Sequence, residues 1–230
     1  MTVQPKEMYM KKYLALAVLG GALALTSANA YQAQFGGFKA GVGGAYTVNP
    51  AGSFEDVLAS YTMGKSTDGT WFGSFCLEKD VHTSTGTMYN VAFSNQTDND
   101  PVDTISQGTA YLYEQFALGT LTGTGVTYGT AAFANALQNM IWYLENEVAT
   151  LGSGSAFSSV LESQFGSEWS SPAMADYAGG DVKVMNVTRA DGVKAQDMLV
   201  YVTVQIPDGG MTVAMLGLGL LGLAAVRRKF

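Results

Sequence analysis

Two apolar segments bracket this chain and leave only its middle free to fold as a domain. Lys11-Lys12 precede an apolar run from Tyr13 to Leu25, and Ala28-Asn29-Ala30 follows. Basic, then apolar, then small-x-small is the order of a secretory signal peptide. Cleavage by signal peptidase is therefore expected before Tyr31, with Ala28 and Ala30 as the small residues it reads. At the other end Ile206-Pro207-Asp208-Gly209-Gly210 leads into an apolar stretch from Met211 to Val226 and then Arg227-Arg228-Lys229. The proline and glycines break the chain just before the stretch. Its length is near the lower limit for a membrane-spanning helix, and its basic end would stay cytoplasmic.

That C-terminal order of parts resembles the VPDSG-type member of the PEP-CTERM sorting signals, with Ile206 in place of the usual Val. The resemblance implies recognition by an exosortase at Pro207, Asp208, Gly209 and Gly210. It also implies transient anchoring in the inner membrane of a Gram-negative-type bacterium, then delivery to the cell surface or extracellular matrix. The expected organisation is a signal peptide over 1–30, a single extracellular domain over 31–206 and a sorting signal over 207–230.

The chain has 230 residues and is 47% hydrophobic, enough for one sizeable core. Residues 31–208 hold 18 acids against 6 bases, a formal charge of −12. So acidic a surface argues against binding nucleic acid or an anionic membrane. The single cysteine rules out a disulfide framework within the chain. In an exported protein an unpaired cysteine points to a partner chain or a reactive thiol.

Along the middle, Tyr31 to Gly44 is glycine-rich and reads as an extended leader or a loose first strand. Ala45–Val48, Phe54–Met63, Trp71–Leu77 and Thr87–Ser94 are rich in β-branched and aromatic residues. Turn signals at Asn49-Pro50-Ala51-Gly52 and Ser66-Thr67-Asp68-Gly69 separate them, as in a β-meander. Asn95–Asp103 is a polar loop. Thr104–Leu118 is helical by pattern, with Asp103 or Thr104 as N-cap. A second helix carries Phe133, Leu137, Met140, Ile141, Leu144 and Val148 at spacings of three and four, with Thr130 as its cap. On it Gln138 lies about 100° round from Leu137, at the flank of the apolar stripe. Phe157–Phe165 suggests a short third helix, Ser170-Ser171-Pro172 a loop. Val182–Thr188 and Met198–Gln205 suggest a closing hairpin around Ala190-Asp191-Gly192. Strands, then helices, then a hairpin predict an α+β fold: a sandwich- or barrel-like antiparallel sheet with an inserted helical segment.

The lone Cys76 sits in Phe75-Cys76-Leu77-Glu78, and Gln138 in Leu137-Gln138-Asn139-Met140-Ile141-Trp142. A thiolate and a primary carboxamide can condense to a thioester with loss of ammonia. An amide is a poor electrophile, so fixed geometry must supply the rate; it can remove on the order of 7–11 kcal/mol of barrier. Phe-Cys-Leu-Glu followed by Leu-Gln-x-x-Ile-Trp resembles the Cys–Gln thioester domains of bacterial surface proteins, with Glu78 where Asp or Asn is usual. The resemblance implies an internal bond between Cys76 and Gln138 that captures an amine or hydroxyl on a protein or glycan target. Phe75 and Trp142 are the expected shields against water.

Two other readings stay open. One is a non-covalent structural component of the envelope or extracellular polymer, with Cys76 free and buried. The other, a Cys-dependent hydrolase, lacks a nucleophile elbow or oxyanion-hole motif, and no enzyme activity is expected. His82, the only histidine, reads as a loop residue. The Asp98–Asp103 stretch lacks the glycine and distal glutamate of a calcium loop, and Glu145 and Glu147 read as solvent-facing. No zinc set or phosphate loop is present, so neither metal nor cofactor is expected.

Overall fold

The computed structural model describes residues 31–37, 45–58 and 71–202. The signal-peptide residues Ala28 and Ala30, the sorting residues Pro207, Asp208, Gly209 and Gly210, and the apolar stretch from Met211 to Val226 lie outside them. Six strands form one antiparallel sheet: β1 (Tyr31–Gly37), β2 (Ala45–Ala51), β3 (Phe72–Phe75), β4 (Met88–Ser94), β5 (Val182–Thr188) and β6 (Met198–Tyr201). Their order across the sheet is β3-β2-β1-β4-β5-β6.

The glycine-rich start thus contains an interior strand. Ala33 and Phe35 face the core and Gln32 and Gln34 do not, the alternation of a strand with one buried face. Phe35 lies opposite Val48 on β2, and its ring is 5.4 Å from that of Tyr89 on β4. Gly36 is required by close approach: a Cβ there would meet Thr47 Oγ1 at 2.6 Å and the Trp71 ring at 2.7 Å.

The outer strands β3 and β6 return to one another and nearly close the sheet into a barrel. Cys76 bridges Met198, the Ser74 hydroxyl donates to the Leu199 carbonyl at 2.6 Å, and Leu77 N–H donates to the Asp197 carbonyl at 3.1 Å. Closure removes the exposed edges that an open sheet would present.

The inserted helices are α1 (Gln107–Ala117), α2 (Ala131–Leu144), α3 (Ser158–Phe165) and the single turn α4 (Ser170–Ala173). Thr130 caps α2 as expected, its hydroxyl accepting from Phe133 N–H at 3.2 Å. The cap of α1 is Ser106, not Asp103 or Thr104. Thr104 bridges Gln96 and Ile105 N–H donates to the Asn95 carbonyl, so the chain stays extended until Ser106 can accept from Thr109 N–H. Aromatic rings join α1 to the sheet, with Phe75 and Phe116 centroids 5.0 Å apart and perpendicular.

Three other local expectations change. Asn49–Ala51 continues β2 instead of turning; β3 pairs only with Ala45–Val48, so Pro50 interrupts no ladder on that side. Gly52, at φ +59, then starts a 3-10 turn, Gly52–Val57, in place of the strand expected from Phe54. That turn drops Phe54 into the core against Phe72 and Phe93. Ser170–Ala173 is helical because a proline is tolerated within a first turn.

Candidate functional site

Cys76 follows β3 at the seam where the barrel closes. Leu77 N–H points toward β6, bonding Asp197, so the N–H and C=O of Cys76 point to the opposite side. The described part of β2 begins at Ala45, opposite Phe75, one residue short of Cys76. The side chain of Gln138 takes up the groups left over. Gln138 Oε1 accepts from Cys76 N–H at 3.0 Å, and Gln138 Nε2 donates to the Cys76 carbonyl at 2.8 Å, across 62 residues of sequence. A carboxamide has the donor–acceptor pattern of a peptide unit, so it pairs with Cys76 as another strand would.

Gln138 is fully buried rather than at the flank of its stripe. Helix α2 is covered on a second side by the 3-10 segment Gly152–Phe157. There Gly154 sits so close that a Cβ would meet Met140 N at 2.7 Å. The fold thus supplies the contact that two distant sequence segments could only suggest.

The Cys76 thiol is buried, and burial pushes its pKa well up, with the nearby Glu78 carboxylate adding to the shift. Burial thus favours the thiol over the thiolate. Phe75 is buried against Tyr113 and Phe116 of α1. Trp142 is half-buried one helical turn after Gln138, and its Nε1 is enclosed with no hydrogen-bond partner among the described residues.

Leu77 and Glu78, the two residues after Cys76, help wall a cleft of about 340 Å³ with the acids Asp80, Asp100, Asp103, Glu145 and Glu147; neither Cys76 nor Gln138 lines it. Glu78 Oε2 accepts from Gln196 Nε2 at 2.6 Å and from Asp197 N–H at 3.3 Å, and Oε1 from Asn99 at 3.2 Å. Burial, then the neighbouring Asp197 carboxylate, raises its pKa to about 8. Asp197 is itself raised by burial and accepts from Val187 N–H, Asp98 N–H and Asn186. Sequence reasoning noted Glu78 only as a departure, met Asn99 only within the Asp98–Asp103 stretch weighed as a calcium loop, and missed Asp197 and Gln196, which carry no motif.

Glu145 and Glu147 do not simply face solvent. Glu145 accepts from Ser106 N–H at 3.0 Å, and burial raises its pKa to about 7; Glu147 accepts from Lys79 N–H at 2.9 Å. Helix α2 stops at Leu144 and Asn146, at φ 60, turns the chain, so a helical projection does not apply to either. His82 is exposed in the coil after β3. Among the described residues no group of His, Cys, Asp and Glu is placed to hold a metal, and no helix is long and apolar enough to cross a membrane.

No curated protein and no solved structure matches the chain. Its C-terminal residues 205–230 match the VPDSG-CTERM motif, with Ile206 and Gly209 where the motif's name has Val and Ser. A signal of that class directs exosortase processing, so the chain carries the address of an exported protein bound for the cell surface or the extracellular space.

Proposed function

We propose that Cys76 and Gln138 condense into an internal thioester, used once per molecule to attach this surface protein covalently to a neighbouring protein or glycan. The observation that carries the reading is the pairing of the Gln138 carboxamide with the backbone of Cys76 at 3.0 and 2.8 Å in a buried seam. In the condensation Cys76 Sγ bonds to Gln138 Cδ, and negative charge develops on Oε1. The Cys76 N–H already donates to that oxygen, as an oxyanion donor must. The C–N bond then breaks, and Nε2 leaves as ammonia with the thiol proton. An amine or hydroxyl of the target later attacks the same carbonyl and releases the Cys76 thiol.

Secretion and sorting fit such a latch. Signal peptidase and an exosortase would process the two ends, and the stretch from Met211 to Val226 would hold the precursor briefly in the inner membrane of a Gram-negative-type cell. Beyond those enzymes and the target, no nucleic-acid partner is expected.

The second reading, a non-covalent envelope or matrix component, draws on the same geometry. Two backbone hydrogen bonds are also how a purely structural buried glutamine is satisfied. Intact mass of the purified mature protein separates the two. The latch predicts a mass short by one ammonia, no thiol titratable after denaturation, and uptake of methylamine. Gln138→Ala should then restore one titratable thiol. A full mass with a titratable Cys76 in the unaltered protein would establish the structural reading instead.

A further inference from the structure

A second cleft, of about 350 Å³, lies between α1, the loop that follows it, and α3. Tyr111 and Gln115 come from α1, Thr120 and Thr122 from the loop, and Ser159 and Ser163 from α3. On each helix the two residues are four apart and so share a face. No side chain lining this cleft carries a charge, although residues 31–208 hold 18 acids against 6 bases and acids wall the cleft beyond Leu77.

The fold fixes these walls without a ligand. Gly123 lies so close to its surroundings that a Cβ there would meet Val126 at 2.5 Å and the buried Phe157 ring at 2.9 Å. Thr124 N–H donates to the Ala156 carbonyl at 2.8 Å, which ties the loop to the segment before α3. The Thr120 hydroxyl donates to Gln115 Oε1 at 2.6 Å, so the amide is oriented and its Nε2 is left to donate elsewhere. Among the described residues, Gln115 Nε2 and the hydroxyls of Tyr111, Thr122 and Ser163 make no hydrogen bond. The Tyr111 ring is half-buried and perpendicular to Phe165, with centroids 6.0 Å apart.

What such a cleft can hold follows from its chemistry. Its wall has no base to attract an anion, and a cation is better met by the acidic cleft. Helices build two of its sides and spend their backbone groups internally, so an extended peptide finds no strand edge to pair with. Hydroxyls and an amide both donate and accept, which matches a neutral ligand dense in hydroxyls. An aromatic ring in the wall matches the C–H face of a sugar, because the negative face of the ring attracts polarised C–H groups. The volume is toward the lower end of small-ligand clefts, about 300–1,000 Å³.

We propose that this cleft binds a short stretch of a neutral polysaccharide without a covalent bond. The inference is independent of the thioester reading. A sugar held here washes out and leaves the protein's mass unchanged, whereas a target joined at Gln138 does neither.

Isothermal titration calorimetry of the purified mature protein tests it, with oligosaccharides of glucose, mannose, galactose and N-acetylglucosamine as probes. At least one should bind with a dissociation constant of about 1 mM or lower, and added salt should not weaken it, as for an uncharged ligand. Tyr111→Ala should weaken that binding roughly tenfold. Gln115→Ala combined with Ser163→Ala should weaken it by roughly 10–100-fold. Both of those side chains reach solvent, so the double variant decides the matter should Tyr111→Ala fail to fold. No saturable heat from any of these sugars at about 10 mM, or an unchanged affinity in the double variant, overturns the proposal. Equal binding of an oligogalacturonate would overturn the preference for a neutral chain and the proposal with it. Tighter binding of a peptide of glycine, serine and asparagine would make the cleft a peptide groove instead.

Discussion

A glutamine with no solvent exposure must find partners for both ends of its amide, or the fold carries the cost of desolvating them. Gln138 finds both on a single residue, and the dependence is mutual. Among the described residues, Cys76 N–H and C=O are bonded on that side of the chain to Gln138. Removing the amide would strand two buried backbone groups, each costing about 1–3 kcal/mol. In a Cys76→Ala background, where no covalent bond can form, Gln138→Leu should lower stability by about 2–5 kcal/mol in urea unfolding. A loss below about 0.5 kcal/mol would mean that water replaces the amide and that the pair is loosely held.

At the scale of elements, helix α2 is clamped at both faces and at its end. The 3-10 segment leaves no room over Met140, so Gly154→Ala would drive a methyl group into helix backbone, which cannot move aside as a flexible side chain can. Thermal unfolding should show a loss of about 1–3 kcal/mol, as for other overpacked sites. Beyond Leu144, Glu145 holds the start of α1 and Glu147 holds Lys79, so the connection after the Gln138 helix grips the chain on either side of the cleft.

The acids at this end also set a pH dependence. Glu145 and Glu78 are raised in the folded state to about 7 and about 8 from an ordinary value of 4.5. Between those limits the folded state binds protons that the unfolded state has released, so stability falls as pH rises. The melting temperature should therefore decline from about pH 5 to about pH 8 and flatten above. Glu145→Gln should make the decline shallower between about pH 5 and pH 7 and leave the part that belongs to Glu78. A melting temperature that rises over this range would contradict the assignment.

At the scale of the whole molecule, the sorting signal, residues 205–230, follows the last strand, β6 (Met198–Tyr201). Deleting residues 205–230 should leave the domain's unfolding transition in place while abolishing its retention at the cell surface, as read by fractionating cells and medium. Unchanged surface retention would show that another part of the chain directs it.

What the chain determined without its fold is whatever depends on local order. The sorting signal, the Thr130 cap and the stripe of α2 could all be read, because charge, hydropathy and spacing within a few residues define them. The strands around Cys76 and the hairpin of β5 and β6 were legible for the same reason. Only the tertiary structure decided that β1 lies inside the sheet, that Ser106 caps α1, and that Glu78 shares a buried network with Asp197. Those outcomes turn on which backbone groups are already paired by distant segments, and on how far burial lifts an acid. Above all it decided the position of Gln138, which a helical projection leaves at the edge of a stripe. Closing the barrel and laying a second layer over α2 bring its amide onto Cys76.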